Sequence, residues 1–163
     1  MAPISICRAV VQDAPQISAL IAGVARYFTV HPQGLGAEAF LVGMSADAIA
    51  SYIHDPGFVY LVARAEDGSL AGAAALRHDN HLFHLFVAPA WQRLGVATQL
   101  WRAVRDLADE QGRASRGFTV NASLYAVPFY ERIGFACSGR RVESRGIAFV
   151  PMAMMAPGLS PTP

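Results

Sequence analysis

The sequence predicts an α/β fold: a mixed sheet, mostly antiparallel, with helices on both faces. Three observations point there. First, Phe58 to Ala65, Leu70 to Arg77 and His81 to Val87 are apolar runs separated only by Asp67-Gly68 and Asp79-Asn80. Turns that short join antiparallel strands in series. Second, the last of these runs leads to a turn around Gly95, and downstream of the run Leu94, Ala97, Leu100, Trp101, Val104, Leu107 and Ala108 fall at helical spacing. Third, a strand (Phe118 to Ala122), a short helix holding Pro128 (Leu124 to Ile133) and a β-rich stretch (Gly146 to Met154) close the chain. The order β-α-α-β-β-β-α-β-α-β departs from the strict alternation of a doubly wound dinucleotide fold.

The remaining elements follow from local signals. Ile4 to Val11 is a first strand, and Asp13-x-x-Gln16 is a capping box for a helix carrying Ile17, Leu20, Ile21, Val24 and Phe28. That helix runs to about Val30, where His31-Pro32 stops it. Gln33 to Met44, with Gly34, Gly36 and Gly43, reads as a mobile loop with room for one helical turn. Ser45 caps a second helix through Ile53, ended by Asp55-Pro56-Gly57. The long helix after Gly95 reaches about Gln111 and stops at Gly112. Residues 1–156 form one domain, and 157–163 a frayed Pro-rich tail.

Composition narrows the function classes. The chain has 163 residues, 53% hydrophobic and 15% charged, with a net charge of +1 and no basic patch, which argues against nucleic acid as a partner. All 13 basic residues are Arg, so phosphate binding falls to Arg and backbone, and Schiff-base chemistry on a lysine is excluded. Cys7 and Cys137 have neither metal-ligand nor disulfide-framework spacing. No signal pattern or membrane-length apolar run occurs, and a reduced, cytoplasmic setting is expected. His78, His81 and His84, three apart on a strand, alternate faces and cannot close round one ion, so no metal is expected.

The turn at Gln92-Arg93-Leu94-Gly95-Val96-Ala97 carries the first chemical signal. A helix entered through such a turn aims free N–H groups and the positive end of its dipole at what precedes it. With Arg93 beside it, that is an anion site. Gln92-x-x-Gly95-x-Ala97 resembles the pyrophosphate-binding turn of the GNAT superfamily of acyl-CoA-dependent acetyltransferases. Further on, Ala126-x-x-Phe129-Tyr130-Glu131-Arg132-x-Gly134-Phe135 resembles that superfamily's C-terminal motif, one helix and one strand after the turn. Two motifs in order and at the right distance are far more specific than either alone. The resemblance covers roughly Ile4 to Met154.

The resemblance implies a splayed strand pair that holds acetyl-CoA as cosubstrate, with no metal. The N–H of Leu85 would stabilise the tetrahedral oxyanion, and the Val87 backbone would pair with pantetheine. Gln92, Arg93, Leu94, Gly95, Val96, Ala97 and Thr98 would hold the pyrophosphate. Tyr130 matches the general acid that protonates the departing thiolate, and phenol and thiol pKa values lie within about two units. Where many members carry a pantetheine-binding Asn, this chain has Ser123, with Asn121 two residues earlier to share the task.

For the general base, two histidines compete. By two-residue alternation His81 shares a strand face with Phe83, Leu85 and Val87 and matches the family's base position. Its Cα lies roughly 13 Å from that of Leu85, so it would act through water. His84 is nearer but faces away unless a β-bulge shifts the alternation. The acceptor pocket is expected around Tyr27, Phe28, His31, Leu35 and Phe40, which suits a small amine or amino acid with an apolar part, or a peptide N-terminus. Neither cysteine sits near a motif, which favours direct transfer. The competing class is a non-catalytic acyl-CoA-binding sensor. Ile147 to Met155 is a candidate strand for a homodimer sheet.

Overall fold

A computed structural model describes residues 3–156, so the Pro-rich tail 157–163 lies outside the described residues. The elements run β1 (Ile4–Arg8), α1 (Ala14–Val24), α2 (Glu38–Val42), α3 (Ala46–His54), β2 (Phe58–Ala65), β3 (Leu70–Arg77), β4 (His81–Val87), α4 (Val96–Glu110), β5 (Phe118–Ala122), α5 (Val127–Arg132), β6 (Ala136–Cys137), β7 (Val142–Ser144) and β8 (Ile147–Met154). The sheet order is β1-β2-β3-β4-β5-β8-β6, with β7 also on β8. Among the described residues, only β4 and β5 pair in parallel. Among the described residues, no helix is long and apolar enough to cross a membrane.

Two cores sandwich this sheet. On one face α4 buries Val96, Leu100, Trp101 and Val104 against Leu61, Ala74, Leu76 and Leu82. On the other, Ile17 and Ile21 of α1 and Ile49 of α3 pack on Tyr60, Val62, Ala73 and Ala75. The small side chains of β3 let helices approach from both sides. At Gly72 a Cβ would lie 2.9 Å from both Leu100 Cδ1 and the Phe86 carbonyl.

Several boundaries differ from the sequence reading. The first strand stops at Arg8, and α1 ends at Val24 before a 3₁₀ turn over Ala25–Tyr27. Asp13 makes no capping bond to α1. It accepts instead from the Val10 N–H (2.8 Å) and pairs with Arg64 of β2, which also donates to Gln16 Oε1 (3.0 Å). A distant cation thus outcompetes the local cap. Ser45 does cap α3, accepting from the Ala48 N–H at 3.2 Å. Helix α5 starts at Val127, not Leu124, because Pro128 can only occupy its first turn. Strands β6 and β7 are exposed and too short for periodicity to reveal. Their pairing makes β8 an interior strand, flanked by β5 on one side and by β6 and β7 on the other. The expected dimer strand therefore has no free edge along its paired length.

One polar staple holds the β3–β4 turn to the segment after α4. Asn80 is 1% exposed and sits at φ 59°, a left-handed conformation Asn tolerates better than most residues. Its Nδ2 donates to the carbonyls of Arg113 (2.6 Å) and Gly117 (2.9 Å), and its Oδ1 accepts from Arg113 Nη1 at 3.2 Å. Asn80→Ala would strand these groups and strain the backbone, lowering stability by roughly 2–4 kcal/mol in denaturant unfolding.

Candidate active site

The parallel pairing of β4 with β5 is short. Only His81 with Thr119 and Leu82 with Val120 are in register, and beyond them the strands separate. The separation begins at a β-bulge: Ala75 faces His84, but Leu76 faces Leu82, so Phe83 is the extra residue. On its other edge β4 stays paired with β3 through Val87. There the Ala88 N–H donates to the Ala71 carbonyl at 2.9 Å. By antiparallel alternation Phe86 and His84 also direct their backbone groups to β3, while Val87 and Leu85 direct theirs into the gap.

The bulge corrects the expected side-chain faces. Leu82, Leu85 and Val87 pack on the α4 side, whereas Phe83 and Phe86 pack on the α1/α3 side. His84 joins the latter group, against Tyr52, Tyr60, Phe83 and Phe86. His81 bonds through Nδ1 to Thr119 Oγ1 (2.8 Å), on the face of β5 opposite its buried Phe118 and Val120. His81 therefore does not share a face with Leu85 and Val87. Its pKa is lowered, first by burial and then by Arg77.

His84 is 1% exposed, with Nδ1 2.8 Å from the Tyr60 hydroxyl and, among the described residues, no partner for Nε2. Burial drives its pKa down to about 3. The bulge brings it to the acceptor face, yet a group so reluctant to take a proton makes a poor base.

At the end of β4 the chain turns through Arg93 (φ 63°) and Gly95 (φ 84°) into α4, whose N-terminus has no side-chain cap. The first amides of α4 therefore lack an intrahelical acceptor. Arg93, Leu94 and Gly95 are exposed, Val96 is buried, and Ala97 and Thr98 are half-buried. A Cβ at Gly95 would meet nothing within 4 Å among the described residues, so they leave the space beside the turn open. Gln92 donates from Nε2 to the Val87 carbonyl at 3.2 Å.

Across the gap, Asn121 is exposed and Ser123 Oγ accepts from the Ala126 N–H at 3.3 Å, leaving its own hydroxyl proton free to donate. Tyr130 is 5% exposed, its ring against Phe129 and Phe135, and burial pushes its pKa up. The phenol thus stays protonated at neutral pH. Burial also moves it away from the thiol range, so the near match of free phenol and thiol does not hold in the folded protein.

The five expected acceptor residues divide. Phe28 packs between Phe40 and Phe86, with centroids 5.9 Å apart in both cases, so these rings line the inner side of the loop. Tyr27 turns outward to stack on Tyr125 at 4.2 Å. His31 accepts from the Gln33 N–H (3.1 Å) to close a turn, and Leu35 is 60% exposed. The loop is stitched down rather than free. The Val30 N–H donates to the Gly146 carbonyl and the Ala148 N–H to the Phe28 carbonyl, at 2.8 and 3.1 Å. A cavity of about 440 Å³ behind the loop, between α1 and Leu41, touches none of the expected site residues. No cluster of His, Cys, Asp or Glu able to hold a metal occurs among the described residues. Tyr52, Phe86 and Tyr125 escaped the sequence reading because their partners are distant in the chain.

The GNAT acetyltransferase domain model matches residues 28–156. The chain belongs to the GNAT acetyltransferase family. It is 31% identical over 104 residues to N-acetyltransferase 8 of Homo sapiens, covering 58% of this chain and 46% of that protein. It is 38% identical over 74 residues to the Escherichia coli protein named "Uncharacterized N-acetyltransferase YafP", covering 45% of each. The alignments thus span less than half of either relative. Among solved structures, a GCN5-related N-acetyltransferase from Rhodopseudomonas palustris superposes with a TM-score of 0.77 at 23% identity, over 95% of this chain and 97% of that one. PaiA N-acetyltransferase from Thermoplasma acidophilum, in complex with coenzyme A, gives 0.78 at 14% identity over 94% and 99%. These likenesses show a shared GNAT fold.

Two predictions follow from this geometry. His84 binds its proton far less readily folded than unfolded, where its pKa is about 6.5. Stability is then complete above about pH 6.5 and falls as pH drops towards 3. Denaturant titrations at pH 7 and pH 5 should differ by about 2 kcal/mol through this residue, and His84→Gln should remove that part of the difference. Gly146 (φ 76°) lies so close to the loop that a Cβ would clash with the Gly36 carbonyl group and the Ala37 nitrogen. Gly146→Ala should unstitch the loop and lower Tm by roughly 4–10 °C.

Proposed function

We propose that the protein transfers the acetyl group of acetyl-CoA directly to a primary amine on a small molecule or a peptide. The observation that carries this reading is the β4–β5 gap, with the Leu85 and Val87 backbone groups aimed into it beside the uncapped start of α4. Such a gap suits a long, thin ligand with an anionic end and amide groups along its arm. The open space at Gly95 suits the close approach of a phosphate.

In this reading Gln92, Arg93 and the amides from Leu94 to Thr98 hold the pyrophosphate through hydrogen bonds and the helix dipole. The Val87 backbone pairs with the pantetheine arm, with Asn121 and Ser123 on its far side. The cosubstrate supplies an activated acetyl group as a thioester. The Leu85 N–H, fixed by the β3 ladder, donates to the carbonyl oxygen as negative charge develops there. Tyr130 holds a proton that passes from its hydroxyl to the leaving sulfur. Cys7 and Cys137 lie on the two edge strands β1 and β6, which supports transfer without an acyl-enzyme. The incoming ammonium loses its proton through water to His81, on the acceptor face and partly open to solvent. The amine enters between the loop and β4, over Phe28, Phe40 and Phe86, and so carries an apolar part.

Thiol release from acetyl-CoA, followed over a panel of amines, tests the proposal. An amine that accelerates release and is recovered acetylated is the expected result; coenzyme A binding with no acceleration by any amine would favour an acyl-CoA sensor. With the best amine, Tyr130→Phe should lower kcat by about 10²–10⁴-fold, and retention of full rate would remove Tyr130 from the proton transfer. Gly95→Val, strained by its positive φ but sterically free within the protein, should abolish coenzyme A binding while leaving a folded chain.

A further inference from the structure

The mouth of the β4–β5 gap is bridged by a chain of side-chain contacts. From the β4 side, Gln92 donates through Nε2 to the Val87 carbonyl at 3.2 Å. Its Oε1 accepts from the Tyr125 hydroxyl at 3.3 Å. Tyr125 stands just beyond β5, so this bond runs from the end of one splayed strand to the end of the other. The Tyr125 ring stacks on Tyr27, at the end of the 3₁₀ turn before the acceptor loop, with centroids 4.2 Å apart and planes 23° from parallel. Arg26 steadies Tyr27, donating to its hydroxyl at 3.2 Å with its guanidinium 5.0 Å from the ring centroid. Tyr125 is 52% exposed, so burial of the ring is not what places it there.

Two parts of this bridge occupy positions that the proposed reaction needs. The Val87 carbonyl points into the gap and already has a donor, the Gln92 amide. A pantetheine amide N–H offers that carbonyl the same kind of hydrogen bond. Tyr27 ends the 3₁₀ turn that leads into the loop over which the acceptor enters, and its partner Tyr125 belongs to the rim of the cosubstrate gap. Resting on the cosubstrate reading above, we propose that Gln92, Tyr125 and Tyr27 form a strap across the mouth of the gap that competes with coenzyme A for the Val87 carbonyl. Coenzyme A opens it by replacing the Gln92 amide on Val87. Once Gln92 leaves Val87, Tyr125 loses its hydrogen-bonded anchor and the stack on Tyr27 loosens. Filling the cosubstrate gap thereby frees the acceptor side, so the two sites communicate through one side-chain chain rather than through a movement of the sheet.

The strap makes a prediction opposite in sign to that of an ordinary contact residue. If Tyr125 holds the gap shut, removing it relieves the free protein of a closure that coenzyme A must otherwise break, and affinity rises. If Tyr125 instead grips the ligand, its removal weakens binding. Stacking and one exposed hydrogen bond together correspond to a change of about threefold to tenfold. Calorimetric titration with coenzyme A should therefore give tighter binding for Tyr125→Ala and Tyr27→Ala than for the wild type. Tyr125→Phe, which keeps the ring but not the hydroxyl, should lie between. The double variant Tyr27→Ala/Tyr125→Ala should gain no more than the larger single effect, because both break the same stack. Weaker or unchanged binding in the single variants, with the wild type still binding, overturns the strap and leaves the cosubstrate reading standing. Absence of coenzyme A binding by the wild type and all variants overturns the cosubstrate reading and the strap with it. Tyr125 is half exposed and Tyr27 half-buried, so loss of the stack should lower the melting temperature of the variants by no more than about 5 °C.

Discussion

The loss of pairing between β4 and β5 beyond Leu82 is the constraint on which the rest of the structure depends. A parallel neighbour would ordinarily satisfy the backbone groups that β4 presents on that side. The extra residue at Phe83 breaks the regular pleat where the two strands begin to part. Backbone N–H and C=O groups left unpaired are costly when dry and must find water, side chains or a ligand. At Val87 a side chain from the following turn fills the vacancy. The opposite edge of β4 stays rigid because the small residues of β3 pack tightly between two helical layers. That rigidity fixes the direction of the Leu85 amide without any side chain being asked to hold it.

The same local economy governs charge. With no lysine in the chain, an anionic ligand must be met by arginine, by helix dipoles and by backbone amides. The turn into α4 meets that requirement with two departures from ordinary backbone, Arg93 and Gly95, which aim the start of the helix at the gap. Glycine leaves the approach open at the second position. Arginine at the first adopts a conformation uncommon for a residue with a side chain, and its own charge points outward into solvent.

On the acceptor side, order comes from distant contacts. The loop from Thr29 to Ala37 has little apolar periodicity, but the turn before β8 clamps it through main-chain hydrogen bonds and a glycine-to-glycine approach. Phe28, Phe40 and Phe86 then form a wall between loop and strand, whereas His31 and Leu35 serve the outer turn. An aromatic group in this part of the chain was legible. Which rings faced inward was not, because that depended on a hairpin more than a hundred residues away.

The sequence by itself determined the three antiparallel strands, the turn at Gly95, the amphipathic α4 and the position of the Tyr130 motif. Each is encoded by neighbours: apolar runs of strand length, short Asp-Gly and Asp-Asn turns, and a 3.6-residue stripe. Strands β6 and β7 carry no such signal, since their few exposed residues pair only because β8 presents an edge. Side-chain faces along β4 were likewise beyond local reading, because one extra residue reverses the alternation and is visible only against the register of β3. It took the tertiary structure to turn His84 into a buried, barely basic core residue and to separate His81 from the face of Leu85. Tertiary structure also brought Tyr27 and Tyr125 together, since stacking depends on distance in space and leaves no mark on the spacing of residues along a chain.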